Sequence, residues 1–85
     1  MSYRWIITKD NIAEHGIHDD TGVQGPRHAD PTLDTNPKDF QMYDDDGELY
    51  YEGTIFGDYE GFEPLDDFGT PNAGCVGIKY DGEFL

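Results

Sequence analysis

The chain has 85 residues, with 19 Asp and Glu against five Lys and Arg, for a formal net charge of −14. A field of that sign repels nucleic acid and anionic membrane and steers the protein toward basic surfaces. Hydrophobic residues make up only 35% of the chain, which taken alone suits disorder, but aromatics reach 14%; each can bury roughly 150–250 Å², so residues 1–85 read as one small folded domain with a thin core.

In chain order, Tyr3-Arg4-Trp5-Ile6-Ile7-Thr8 is rich in β-branched and aromatic residues and reads as a strand. Asp10 or Asn11 is placed to cap a single turn through Ile12-Ala13-Glu14-His15, ended by Gly16. Residues 17–37 read as a long irregular loop, interrupted by Gly22, Gly25, Pro26, Pro31 and Pro37, with Val23 and Leu33 as anchors to the body. Phe40 and Met42, then Leu49 and Tyr51, alternate on either side of Asp46-Gly47, a strong hairpin signal. The second of these strands extends through Thr54-Ile55-Phe56, with Gly53 as a bulge or bend. Pro64-Leu65-Asp66-Asp67-Phe68 reads as one helical turn closed by Gly69, followed by a turn over Pro71-Asn72-Ala73-Gly74. A last strand covers Cys75–Tyr80, and Asp81-Gly82 is a second hairpin signal.

The expected fold class is therefore α+β: a small antiparallel sheet of three to four strands, with one or two short helical turns and a long irregular loop. The expected core is Trp5, Ile7, Phe40, Met42, Leu49, Tyr51, Phe68, Val76 and Ile78. A lone cysteine forms no internal disulfide, and no apolar run suits a signal peptide or a membrane span, so a cytoplasmic location is expected.

Catalytic and metal chemistry find little footing. With Gly47 at the sixth position of a calcium loop, Met42 and Gly53 fall where the first and last ligands belong. His15, His18 and Cys75 do not make a structural zinc pattern. Cys75 opens an apolar strand in an acidic field that raises a thiol pKa, so it reads as a buried structural residue. No Gly-rich loop suits phosphate. No catalytic residue, metal or cofactor is assigned.

Charge remains. Residues 1–38 carry six acids and four bases; residues 39–85 carry thirteen acids and one base, Lys79. The two parts therefore stand at −2 and −12. Tyr43, Tyr50, Tyr59 and Phe62 are interleaved with the acids of the second part. Aromatics anchor protein interfaces, while charges at the rim set on-rate and register. The simpler reading is that the acidity only keeps a small protein soluble.

Three stretches, WIITKD, YDDDGELYYEG and PLDDFGTPNAGC, resemble a family of short, acidic, uncharacterised bacterial proteins with the same block order. The resemblance implies no activity and no catalytic residues. In size and charge alone the chain is also similar to phage- and plasmid-borne inhibitors of bacterial defence, including anti-CRISPR proteins.

The leading expectation is a binding protein that docks on a basic, nucleic-acid-binding partner and inhibits it as a nucleic-acid mimic. Its contact residues would be Asp44, Asp45, Asp46, Glu48, Tyr50, Glu52, Asp58, Tyr59, Glu60, Glu63, Asp66 and Asp67, with no direct binding of nucleic acid or membrane. The alternatives are an interaction domain that homodimerises through an exposed strand, and a small metal protein or enzyme using Cys75, His15 and His18.

Overall fold

The computed structural model describes residues 3–11, 20–26 and 36–85. The expected turn at 12–15, together with Leu33, His15, His18 and His28, lies outside them.

Six strands form one antiparallel sheet: β1 (Tyr3–Asp10), β2 (Gln24–Gly25), β3 (Lys38–Tyr43), β4 (Leu49–Gly57), β5 (Gly77–Tyr80) and β6 (Glu83–Phe84). Their order across the sheet is β2-β1-β4-β3-β5-β6. The sheet thus exceeds the three to four strands expected, and the two extra strands, β2 and β6, are its edges. Each is two residues long, and a short edge offers little backbone for another chain to extend.

The two hairpins use different turn chemistry. Between β3 and β4, Gly47 N–H donates to the Asp44 carbonyl at 3.1 Å, and Asp44 N–H donates to the Glu48 carbonyl at 3.1 Å. Gly47 has φ +81° and Asp46 is not left-handed, so this is a turn closed by a glycine bulge. Between β5 and β6, Asp81 and Gly82 both have positive φ, 53° and 81°. That pair is the type I′ geometry whose twist matches the flanking strands.

One face of the sheet carries the core. Trp5, Ile7, Phe40, Met42, Tyr51, Ile55, Ile78 and Tyr80 are buried there, and Leu65, Phe68 and Cys75 close over them. The cover is a π-helical turn, Leu65–Gly69, that runs into α1 (Thr70–Ala73). Thr70 N–H donates to the Leu65 carbonyl five residues back, which widens the helix by one residue per turn. The helical turn therefore does not stop at Gly69, and the expected turn at 71–74 is helical through Ala73. Pro71, the second residue of α1, supplies no N–H to the ladder, and it stands directly after the turn where that ladder has already shifted register. The left-handed terminator is Gly74, with φ 69°. Among the described residues no helix is long and apolar enough to cross a membrane.

Two expected core residues lie elsewhere. Leu49 is only half-buried because β3 and β4 shift register between Met42 and Tyr43. Tyr43 pairs with Leu49 while Met42 pairs with Tyr51, so Tyr50 is the extra residue and Leu49 moves off the core face. Val76 is 62% exposed, because β5 begins only at Gly77 and the buried residue of that connection is Cys75. Gly53 is not a bulge. It pairs in register with Ile7 and Phe40, and the irregularity beside it is on β1, between Ile7 and Lys9. Val23, expected as an anchor, is 36% exposed.

Candidate partner-binding surface

Only one of the expected contact carboxylates, Glu52, lies within a strand. The others sit in turns, loops and the helical segment, so the sheet itself is not an acidic face. The structure sorts them into two groups at opposite ends of β4. Asp44, Asp45, Asp46 and Glu48 form the tip of the β3–β4 hairpin. Asp58, Glu60, Glu63, Asp66 and Asp67 gather at the other end, where Asp67 Oδ2 accepts Tyr3 OH at 2.8 Å and Trp5 Nε1–H at 3.1 Å. Tyr3 pairs with Gly57, the last residue of β4. The nine residues of β4, at about 3.3 Å per residue, put roughly 26 Å between the two groups.

Within each group some carboxylates build the scaffold. At the tip, Asp44 Oδ1 accepts the N–H groups of Asp46 and Glu48 at 3.0 and 2.7 Å. This is the local turn chemistry expected of aspartate before a tight bend. The same carboxylate raises the Tyr50 pKa above its ordinary range by hydrogen bonding to the phenol. Asp44, Asp45 and Asp46 can bring one oxygen each within 4.8 Å of one another, but Asp44 is already committed to its turn. At the far end, Glu63 curls back so that Oε2 and Oε1 accept the N–H groups of Glu60 and Gly61 at 2.7 and 2.6 Å. Tyr80 OH donates to the Gly61 carbonyl at 2.7 Å, and Tyr59 OH donates to the Asn36 carbonyl at 2.9 Å. Tyr59 is thus half-buried structure rather than open surface.

Six carboxylates remain without such a role. Asp45, Asp46 and Glu48 at the tip, and Asp58, Glu60 and Asp66 at the far end, are all exposed. Among the described residues none of their side chains makes a hydrogen bond or an ion pair. Lys9 instead reaches Glu52 at 4.0 Å, and Lys38 reaches Asp81 at 3.6 Å. Asn11 Nδ2 also donates to Glu52 at 3.2 Å, so Glu52 is the one expected contact residue held by a cation. Alternation along the strands puts Arg4 and Lys79 on the sheet face opposite the core, and the register shift between Ile7 and Lys9 turns Lys9 to the same face, opposite Glu52. There the Arg4 guanidinium lies 4.6 Å from the Phe56 ring centroid, and Lys79 Nζ sits between Tyr43 and Phe84 at 4.9 and 4.7 Å. Lys38 Nζ lies on the other side, 5.7 Å from the Tyr80 ring centroid, so three of the described cations are held against rings and the fourth, Lys9, against Glu52.

Cys75 is fully buried, and burial, followed by the nearby Asp44 charge, pushes its thiol up to about 11. A thiol kept protonated and enclosed is a poor nucleophile. It should react with a disulfide reagent at neutral pH only as fast as the protein opens, and at once in denaturant. A rapid stoichiometric reaction of the native protein would contradict this burial.

The tyrosines give a second prediction. Burial is the main cause that raises Tyr3, to about 12, with the Asp67 hydrogen bond next. Burial likewise raises Tyr51 and Tyr80. Unfolded thiols and phenols ionise near 8.5 and 10, respectively. Above those values the unfolded chain releases protons that the folded chain retains, so stability falls as pH rises. Urea midpoints should decline from about pH 9, first through Cys75 and then more steeply through the phenols. Midpoints that stay flat to pH 12 would show that these groups ionise freely in the fold.

Comparison with protein-family models, with curated proteins and with solved structures found no match. The three sequence blocks fall on β1, on the β3–β4 hairpin and on the helical cover.

Proposed function

We propose that this chain is a binding protein that docks on a basic, nucleic-acid-binding partner and blocks it. The observation that supports this reading is the set of six outward carboxylates, three at each end of β4. Among the described residues they make no hydrogen bond or ion pair, and they stand beside ordered backbone. Two anionic groups about 26 Å apart span roughly the axial rise of eight base pairs of a duplex, at about 3.4 Å each. A cationic groove that holds nucleic acid would meet both groups at once. Mimicry of the phosphate array is the form of inhibition this spacing suits. Contact by Glu52 is a lesser part of the proposal, because Lys9 already answers its charge.

The test is affinity capture of basic proteins at low and high salt, with duplex DNA as competitor. A captured partner should be released both by salt and by DNA. Neutralising all six positions (Asp45→Asn, Asp46→Asn, Glu48→Gln, Asp58→Asn, Glu60→Gln and Asp66→Asn) should abolish capture. Capture that survives both the DNA competitor and the neutralised variant would leave the acidity as a solubilising feature only.

A further inference from the structure

The two acidic ends differ in their exposed rings: Phe84, near the hairpin end, is packed edge-on against Tyr43 and has Lys79 Nζ 4.7 Å from its centroid, whereas among the described residues Phe62 has no ring or cation partner. Phe62 is 45% exposed, although it follows a buried glycine and precedes the helical cover. Around it the backbone is fixed at several points. Glu63 accepts two N–H groups from the loop, Tyr80 OH holds the Gly61 carbonyl, and Asp66 N–H donates to the Phe62 carbonyl at 2.9 Å. Leu85, itself 54% exposed, packs directly on the bare backbone of Gly61. A phenyl ring and an isobutyl group thus both meet solvent next to Gly61, in a stretch of chain that also carries the exposed carboxylates of Asp58, Glu60 and Asp66.

Exposing a ring costs a small protein solubility without adding to its core, and this ring is not mobile slack on a loose loop. A rigid, exposed aromatic in a charged rim is the make-up of an interface anchor: the ring supplies contact area once water is expelled, and the rim sets register. Because the loop is already ordered by its own hydrogen bonds, little further entropy is lost when it binds. The charge of the rim selects the occupant. An anionic partner is repelled, and a neutral apolar one leaves three carboxylates desolvated and unpaired.

We infer that Phe62, with Leu85 lying on the adjacent Gly61, is the anchor by which this protein seats a basic amphipathic segment of its partner, one with an apolar pocket flanked by Lys or Arg. The inference rests on the function proposed above and names which end of the molecule carries the specificity. The hairpin tip then contributes long-range attraction, and the Phe62 end contributes the short-range contact that slows release.

Two synthetic peptides of equal length and charge test this, one of Lys and Leu in amphipathic helical order and one of Lys and Ser. Titrations of the full chain, followed by anisotropy and by backbone amide shifts, give affinity and location together. The Lys/Leu peptide should bind more tightly, with the largest shifts at Glu60, Phe62, Asp66 and Leu85. Phe62→Ala should weaken it by about thirtyfold, to the level of the Lys/Ser peptide, while Phe62→Leu retains most of the difference. Because Phe62 is exposed, an unchanged urea midpoint checks that the fold is intact. If Phe62→Ala binds as before, or the shifts centre on the hairpin tip, the anchor is refuted while the cation-seeking function stands. If the sixfold neutralised variant binds both peptides unchanged, that function itself fails. Phe62-dependent self-association without peptide would make a second copy the occupant and would also overturn the inference.

Discussion

Phe68→Ala should come close to unfolding the protein. Phe68 is the residue through which the helical cover grips the sheet. Its ring centroid lies 4.8 Å from Tyr51 and 5.4 Å from Trp5, both in edge-on or tilted arrangements, and the side chain is almost wholly buried. Truncating a buried Phe to Ala costs about 3–5 kcal/mol through lost burial and the cavity left behind. Each aromatic pair adds roughly 0.5–1.5 kcal/mol beyond its area. A chain of this length has a total stability of only about 4–13 kcal/mol. The loss is therefore a third or more of everything that holds the fold. With a urea dependence of about 1 kcal/mol/M, the midpoint should fall by roughly 3 M or disappear. Phe68→Leu, which keeps most of the volume, should cost well under half as much. A loss below about 1 kcal/mol for the alanine variant would mean that the cover does not pack on Trp5 and Tyr51 as described.

The contrast between this residue and its neighbours shows what the sequence could reveal. Phe68, Trp5, Ile7, Phe40, Met42, Tyr51 and Ile78 were all legible as core, because alternation along a strand or one face of a helical turn is a local pattern. Leu49 and Val76 were not. Their faces depend on a bulge and on a strand that starts two residues late, at Gly77, and both features are set by pairing with distant residues. The helix beyond Gly69 was hidden for a similar reason. Gly and Pro are ordinarily stop signals, but Gly69 is there because the cover approaches the sheet so closely that a Cβ would lie 2.6 Å from Met42 Sδ. The strand β2 was invisible in a stretch of Gly and polar residues, since two residues carry no period.

Legibility of the candidate surface was uneven in the same way. Every acidic position could be read, but composition has no direction. Which carboxylates cap a turn, which brace a loop and which face outward depends on hydrogen bonds spanning two to more than sixty residues. Asp44, Glu63 and Asp67 look the same as Asp45, Glu60 and Asp66 in the sequence. They differ only because a backbone N–H, an indole or a phenol is within reach. The division into two ends follows from β4 running unbroken for nine residues, so the acids on either side of it cannot meet.

That same unbroken strand depends on one glycine, and Gly53→Ala should be nearly as damaging as loss of the Phe68 ring. Gly53 lies at the centre of the sheet, with β1 on one side and β3 on the other. A Cβ at this position would overlap the Ile6 carbonyl oxygen and stand 2.5 Å from Phe40 Cζ. The Phe40 ring is fully buried and has no room to retreat, and the Ile6 carbonyl belongs to the β1 backbone. Relief therefore requires β1 and β4 to part locally. Overpacking of this kind costs about 1–3 kcal/mol and more when the obstacle is backbone. The sign makes the test sharp. Gly→Ala at an unstrained site would ordinarily stabilise a protein by about 0.4–1 kcal/mol by restricting the unfolded chain. Gly47→Ala is a useful contrast: the space there is open, and only the positive φ is penalised, at about 1–2 kcal/mol. Equilibrium unfolding of the two variants should rank Gly53→Ala as the less stable, with amide shifts spreading across β1, β3 and β4 rather than staying at the hairpin tip. A neutral or stabilising Gly53→Ala would show that the Phe40 ring does not lie over this strand, and the central packing of the sheet would have to be redrawn.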